Sequence, residues 1–332
     1  MHDPKHSRRP RGAVSIAALA IATVVTALTV VEATQNRRDA ERHAAPGRLI
    51  EVEGTRDHLL CLGEGGPTTV LVGGLGGVAQ GWAWVQRPLA EDGRVCAHDR
   101  PGYGFSAFRP AEDDPLDEAA RLADVLTAAG ERGPFVLVGH SLGGHYARAF
   151  ASTYPDEVAG LVLVDARPPD VADHVPGHDD DVRRTASMLR WGLRLAPLGA
   201  LRAFGGGAKV AATLPADVRE AVVARMANAD HARRLVSELE ALPALDAAAG
   251  RLELPDGVPA LAVTATDAPD GMSEDTWRTL RTIVGDAAVA LPVTEVRAVE
   301  GADHLSLLTD EAHAGAVAEA IASWRTAQRG GP

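Results

Sequence analysis

The chain reads as an α/β protein: a mostly parallel, eight-stranded sheet with helices on both faces and a helical cap inserted after the sixth strand. Three observations carry this reading. Short apolar runs alternate with helical stretches, the pattern of a parallel sheet covered on both sides. The first two runs, residues 49–52 and 58–62, flank Gly54 as an antiparallel hairpin. The alternation breaks once, at about 168–250, where helical stretches occur without a convincing strand.

Composition sets the bounds. The 332 residues are 46% hydrophobic and 23% charged, enough to bury a core and too apolar for a disordered chain. A net charge of −12 disfavours nucleic acid, which needs clustered cations. Lysine occurs only as Lys5 and Lys209.

Lys5, Arg8, Arg9 and Arg11 precede the uncharged stretch 13–31, about the length of a membrane span. Residues 1–33 therefore form a signal anchor, or a cleaved signal peptide with a possible site at Val31-Glu32-Ala33. A buried core helix is the structural alternative, disfavoured because the stretch has no polar face and sits behind a basic leader. The basic leader stays inside, so the rest lies outside the cytoplasm, membrane-anchored or secreted. Residues 34–46 are polar and read as a linker, and 47–332 as the folded domain.

After the hairpin, strand 69–72 runs into Gly73-Gly74-Leu75-Gly76-Gly77. A loop stripped of side chains lets backbone amides approach a substrate oxygen, and Leu75 is the candidate oxyanion donor. Gly74, Gly76 and Ala79 also fit a dinucleotide fingerprint, with Asp99 ending the next strand, 94–97 and its turn. A short-chain dehydrogenase would need lysine four residues after a tyrosine, yet Ala107, Phe150 and Val158 hold those positions. Trp82 and Trp84 line a pocket or pack in the core.

Helix 116–129 precedes strand 135–138, which leads into Gly139-His140-Ser141-Leu142-Gly143. A serine between a strand and a helix sits in a strained turn that lifts its hydroxyl above the sheet, with small residues two before and two after relieving the crowding. Ser141 is the candidate nucleophile, and the amide of Leu142 the second oxyanion donor. An ordinary strand–helix turn is the structural alternative. His140 and His145 read as pocket-lining or structural.

Strand 161–164 ends at Asp165; strand 259–264 is followed by Asp267 and Asp270; strand 294–299 is followed by Gly301-Ala302-Asp303-His304. His304 is the candidate general base, since it falls at the same sheet edge as Ser141. Chain order prefers Asp267 as the orienting acid, with Asp165 and Asp270 as alternatives. Val317, Ile321 and Trp324 mark one face of a final helix. No cofactor and no metal is called for. The expected partners are a small ester or related acyl substrate and, through residues 1–33, a membrane. A catalytically silent binding fold is the non-enzyme alternative.

From Gly47 onward the chain resembles the α/β-hydrolase superfamily, most closely bacterial membrane-anchored or secreted members related to lipases and esterases. The resemblance lies in residues 59–63, in Gly74-Leu75-Gly76-Gly77, in Asp99-Arg100-Pro101-Gly102-Tyr103-Gly104, in 139–144 and in 161–165. It implies the α/β-hydrolase fold and a Ser-His-Asp serine hydrolase, foremost a carboxylic-ester hydrolase. Peptidases, lactonases, carbon–carbon hydrolases and cofactor-free haloperoxidases share the same triad. Two departures stand out: Gly73-Gly74 replaces a common His-Gly, and the usual acid position aligns with Ala268, one residue beyond Asp267. The superfamily's strand order also implies neighbouring strands for Cys61 and Cys96, and hence a possible disulfide.

Overall fold

A computed structural model describes residues 11–109, 114–269, 272–289 and 294–329. Strands β1 (Arg48–Val52), β2 (Thr55–Leu62), β3 (Thr69–Val72), β4 (Val95–Asp99), β5 (Phe135–His140), β6 (Val158–Val164), β7 (Ala260–Ala265) and β8 (Thr294–Val299) form one sheet. Its order is β1-β2-β4-β3-β5-β6-β7-β8, antiparallel at β1–β2 and β2–β4 and parallel elsewhere. The eight expected strands all occur, with ends shifted by up to three residues. Cys61 stands opposite Cys96 in the β2–β4 register, and the two are joined as a disulfide.

Strand side chains alternate between two cores, as the two-residue strand period requires. Val70, Val72, Leu137, Leu161 and Leu163 point to one face; Leu71, Val136, Val138, Val162 and Val164 point to the other. The remaining elements, in chain order, are α1 (Arg11–Arg42), α2 (Ala83–Leu89), α3 (Pro115–Ala129), α4 (Gly143–Thr153), α5 (Val171–His174), α6 (His178–Arg194), α7 (Ala200–Ala203), α8 (Gly206–Ala211), α9 (Ala216–Met226), α10 (Ala229–Ala249), α11 (Glu274–Val289), α12 (Ser306–Thr309) and α13 (Glu311–Arg329). Helices α3 and α4 cover the first face, and α2 and α13 the second. Asp114 caps α3 by accepting from the Leu116 amide (2.8 Å), and Gly130 ends it in the left-handed region.

The interruption after β6 is a run of helices, α5 to α10, and α10 seats Leu239, Leu242 and Leu245 on the core. The N-terminal expectation needs correction. Residues 34–42 are not a linker but the continuation of α1. They contain no glycine or proline, and Asn36 and Asp39 dock on Arg202 of the cap at 2.8 Å each. The basic residues Lys5, Arg8 and Arg9 lie outside the described residues.

Candidate active site

Ser141 occupies the turn between β5 and α4 with φ = 53°. That conformation costs a non-glycine residue roughly 1–2 kcal/mol and persists only where the surroundings impose it. Here the Ser141 amide donates to the Val164 carbonyl (3.2 Å), and its own carbonyl accepts from the amides of Gly144 and Arg167 (3.0 Å each). Space is equally tight. A Cβ on Gly143 would strike the Val72 carbonyl oxygen, and one on Gly74 would lie 2.7 Å from the Ser141 Cβ.

His304 follows β8, in a turn fixed by Asp303, whose Oδ1 accepts from the amides of Leu305 and Ser306 (2.9 Å each). Its Nδ1 lies 2.6 Å from Asp165 Oδ2. Burial raises the Asp165 pKa, but the hydrogen bond and charge of His304 outweigh it and hold the carboxyl below its ordinary value. An ionised carboxylate only accepts, so Nδ1 carries the proton and Nε2 is left as the acceptor. Asp165 also has positive φ (42°), and its Oδ1 accepts from the Ala265 amide (3.3 Å).

The structure thus sets Asp165, not the preferred Asp267, against His304. Asp267 is exposed, and its carboxylate accepts from the Thr266 hydroxyl (3.0 Å). The reason lies in the backbone: the amides of Thr266 and Asp267 both donate to the Ala302 carbonyl (3.0 and 2.8 Å), which stitches that loop under the His304 turn with the Asp267 side chain facing outward. Asp270 lies outside the described residues.

His140 is buried and stacks on His304, ring centroids 4.6 Å apart. Burial, then the neighbouring His304, push its pKa down to about 3, so the ring is neutral. Its Nε2–H donates to the His304 carbonyl (3.0 Å), fixing the histidine turn from below. His145 pairs with Asp246 of α10 (2.9 Å), and Arg167 makes two further bonds to that carboxylate (2.7 Å each). Both histidines are therefore structural. Trp82 is buried in the core, and the half-buried Trp84 indole donates to the cap at the Thr213 carbonyl (2.9 Å).

Among the described residues, the amides of Leu75 and Leu142 donate to no backbone acceptor. Leu75 is aimed by a residue that sequence reasoning missed. The Arg100 guanidinium donates to the carbonyls of Gly73 (2.6 Å) and Gly74 (3.2 Å). Carbonyl and amide of a trans peptide point opposite ways, so fixing Gly74 C=O fixes the direction of Leu75 N–H. Arg100 in turn makes two bonds to Glu238 of α10 (2.7 and 2.8 Å), which also accepts from Tyr103 (2.6 Å), Tyr146 (3.1 Å) and Arg234 (3.1 Å). Burial raises the Glu238 pKa, yet Arg100 and Arg234 overcome it and keep the carboxylate ionised. The Asp99-Arg100-Pro101-Gly102 run was the only sequence signal for Arg100.

Asp99 itself is buried and engaged by His58 Nδ1 (2.7 Å) and by the amides of Ala79 (2.6 Å) and Phe105 (3.0 Å). With the observed strand order, this removes the dinucleotide reading. A cleft of about 1660 Å³ beside α4, α5 and α11 includes Arg148 and Asp173 but none of Ser141, His304 or Asp165. The chemistry therefore lies apart from this cleft.

The sequence profile of the family described as alpha/beta hydrolase fold matches residues 67–205. A 2-hydroxy-6-oxononadienedioate/2-hydroxy-6-oxononatrienedioate hydrolase of Escherichia coli is 31% identical over 158 residues, covering 45% of this chain and 55% of that protein. The chain thus spans about half the length of that relative. Among solved structures, a putative lipase from Acinetobacter baumannii AYE superposes with a TM-score of 0.62 at 20% identity, over 90% of this chain and 96% of the lipase. A membrane phospholipase A, described as a bacterial virulence factor, gives 0.55 at 20% identity, over 96% and 98%. At these identities the two structures are alike in fold.

Proposed function

The chain belongs to the α/β-hydrolase superfamily, and from that premise we propose that it hydrolyses carboxylic esters through an acyl-serine intermediate. Ser141 Oγ attacks the acyl carbon while His304 Nε2 takes the hydroxyl proton. Asp165 holds the imidazole in its Nδ1–H tautomer and stabilises the imidazolium that forms. The amides of Leu75 and Leu142 receive the developing oxyanion. His304 then protonates the leaving alkoxide, and water cleaves the acyl-enzyme by the same route. The observation that carries this reading is the 2.6 Å contact of His304 Nδ1 with an ionised Asp165, one strand away from a serine in the left-handed turn.

A fluorophosphonate probe tests it. Wild type is labelled and turns over an ester panel; Ser141→Ala stays folded and does neither. A folded wild-type protein that resists the probe would leave a binding fold instead. The relative from Escherichia coli favours a second reading, carbon–carbon bond hydrolysis with the same residues. Turnover of that relative's named substrate in preference to every ester would select it.

The same reading places the catalytic domain outside the cytoplasm on a retained anchor. Residues 16–42 form a helix long and apolar enough to cross a membrane, and only 6% of its apolar window is buried. Retention is supported by Glu32, which pairs with Arg202 of the cap (3.4 Å) and would be removed by cleavage at Val31-Glu32-Ala33. The Cys61–Cys96 disulfide suits an oxidising compartment.

A further inference from the structure

We infer that the outer face of the cap, built from α6 and α7, is a bilayer-docking surface; the inference rests on α1 being a membrane anchor. Helix α6 carries two apolar stripes. Val182, Ala186 and Leu189 face inward and pack on the core beside α10. Met188, Trp191 and the following Leu195 keep the same helical spacing on another face and are exposed, Trp191 at 64%. Phe204, just past α7, is 80% exposed. One apolar stripe is all a helix needs to seat itself on a core, so the second requires another partner.

Helix α1 identifies that partner. Its exposed apolar residues run from Ile16 to Val31 and stop where the cap begins. Glu32, the next residue, is buried against the cap: it pairs with Arg202, and a Cβ on Gly199 would lie 3.2 Å from its Oε2. Asn36 and Asp39 hold the same arginine, and Arg225 of α9 donates to the His43 carbonyl (3.1 Å). The end of the apolar segment and the cap surface around 195–204 are therefore at one level. A bilayer that houses residues 16–31 brings its headgroup region to that surface, where Leu195 and Phe204 meet it directly.

The residues present suit a water–lipid boundary. Trp191 is an interfacial side chain, with the exposed Arg194 guanidinium stacked 4.3 Å over its ring. The arginine reaches lipid phosphates while the indole enters the acyl boundary. A docked cap takes acyl substrates from the membrane instead of from bulk water.

The test uses the full-length protein reconstituted in vesicles of phosphatidylcholine and phosphatidylglycerol, with plain or brominated acyl chains. Subtracting the emission of Trp191→Phe from that of wild type isolates Trp191 from the other indoles. The expected result is that this difference emission is lost in brominated vesicles and is protected from aqueous iodide. Quenching by iodide but not by bromolipid overturns the docking surface, as does protection from both, which would indicate a second copy or another protein on this face. Alkaline carbonate separates the two levels of inference. Release of the protein from the vesicles removes the anchor reading and the docking surface with it; retention without bromolipid quenching removes docking alone.

Discussion

Ser141 and Asp165 end neighbouring parallel strands, and both are non-glycine residues with positive φ, 53° and 42°. The two turns support each other, since the residue before Asp165 accepts the Ser141 amide. Asp165→Asn retains the shape but lets His304 take the wrong tautomer, which lowers kcat on the order of 10⁴-fold. Asp267→Asn, at an exposed position, leaves kcat unchanged within roughly twofold. Steady-state kinetics of the two variants on one ester checks both outcomes, and the reverse pattern would return the role to Asp267. The serine was legible because its turn is written in five consecutive residues. The acid was not, because β6 and β7 are adjacent and roughly 5 Å apart, so chain order cannot say which tip reaches the histidine.

At the scale of elements, the cap is attached to the catalytic loop by a buried ionic cluster. Arg100 and Arg234 converge on Glu238, and no local pattern announces it because Arg100 and Glu238 are separated by 138 residues. Removing one partner from a buried pair leaves charge without compensation, so Glu238→Ala destabilises the fold by about 3–5 kcal/mol in urea denaturation. Among molecules that remain folded, the Gly73–Gly74 carbonyls lose part of the reason for their direction. The activity per folded molecule of Glu238→Gln then falls in kcat more than in KM. A variant with full stability and full kcat would show the cluster to be inert. Helix α10 also brings His231 against this loop, 4.8 Å from the Tyr103 ring, with both ring nitrogens lacking a partner among the described residues.

At the scale of the whole molecule, acid acts on histidines that folding keeps neutral. Burial pushes His231 down to about 4 and His140 to about 3, and lowers His145 as well. Asp99 and Glu238 face His231 and pull the other way, and Arg100 adds to the lowering. A histidine with a depressed folded pKa binds its proton first in the unfolded chain. Its effect on stability is absent above the unfolded value of about 6.5 and grows as pH falls toward the folded value. His231 alone accounts for a loss on the order of 3 kcal/mol between pH 7 and pH 4. Urea midpoints across that range check the slope, and His231→Phe should flatten it. All eight strands, the cap's position and the sheet edge carrying Ser141 and His304 could be read from the sequence, because apolar periodicity and glycine placement are local. The continuation of α1 could not: polar residues 34–42 read as linker until Arg202, far along the chain, is seen to hold them. That stalk has a mechanical consequence. Eleven flexible residues would let the domain roam over roughly 5–6 Å times the square root of their number, in any direction. As a helix, Glu32 to Arg42 acts as a ruler of about 15 Å with one heading. Under the proposed anchoring, the catalytic serine keeps a fixed height and tilt, and encounters depend on two-dimensional diffusion of substrate past a stationary mouth.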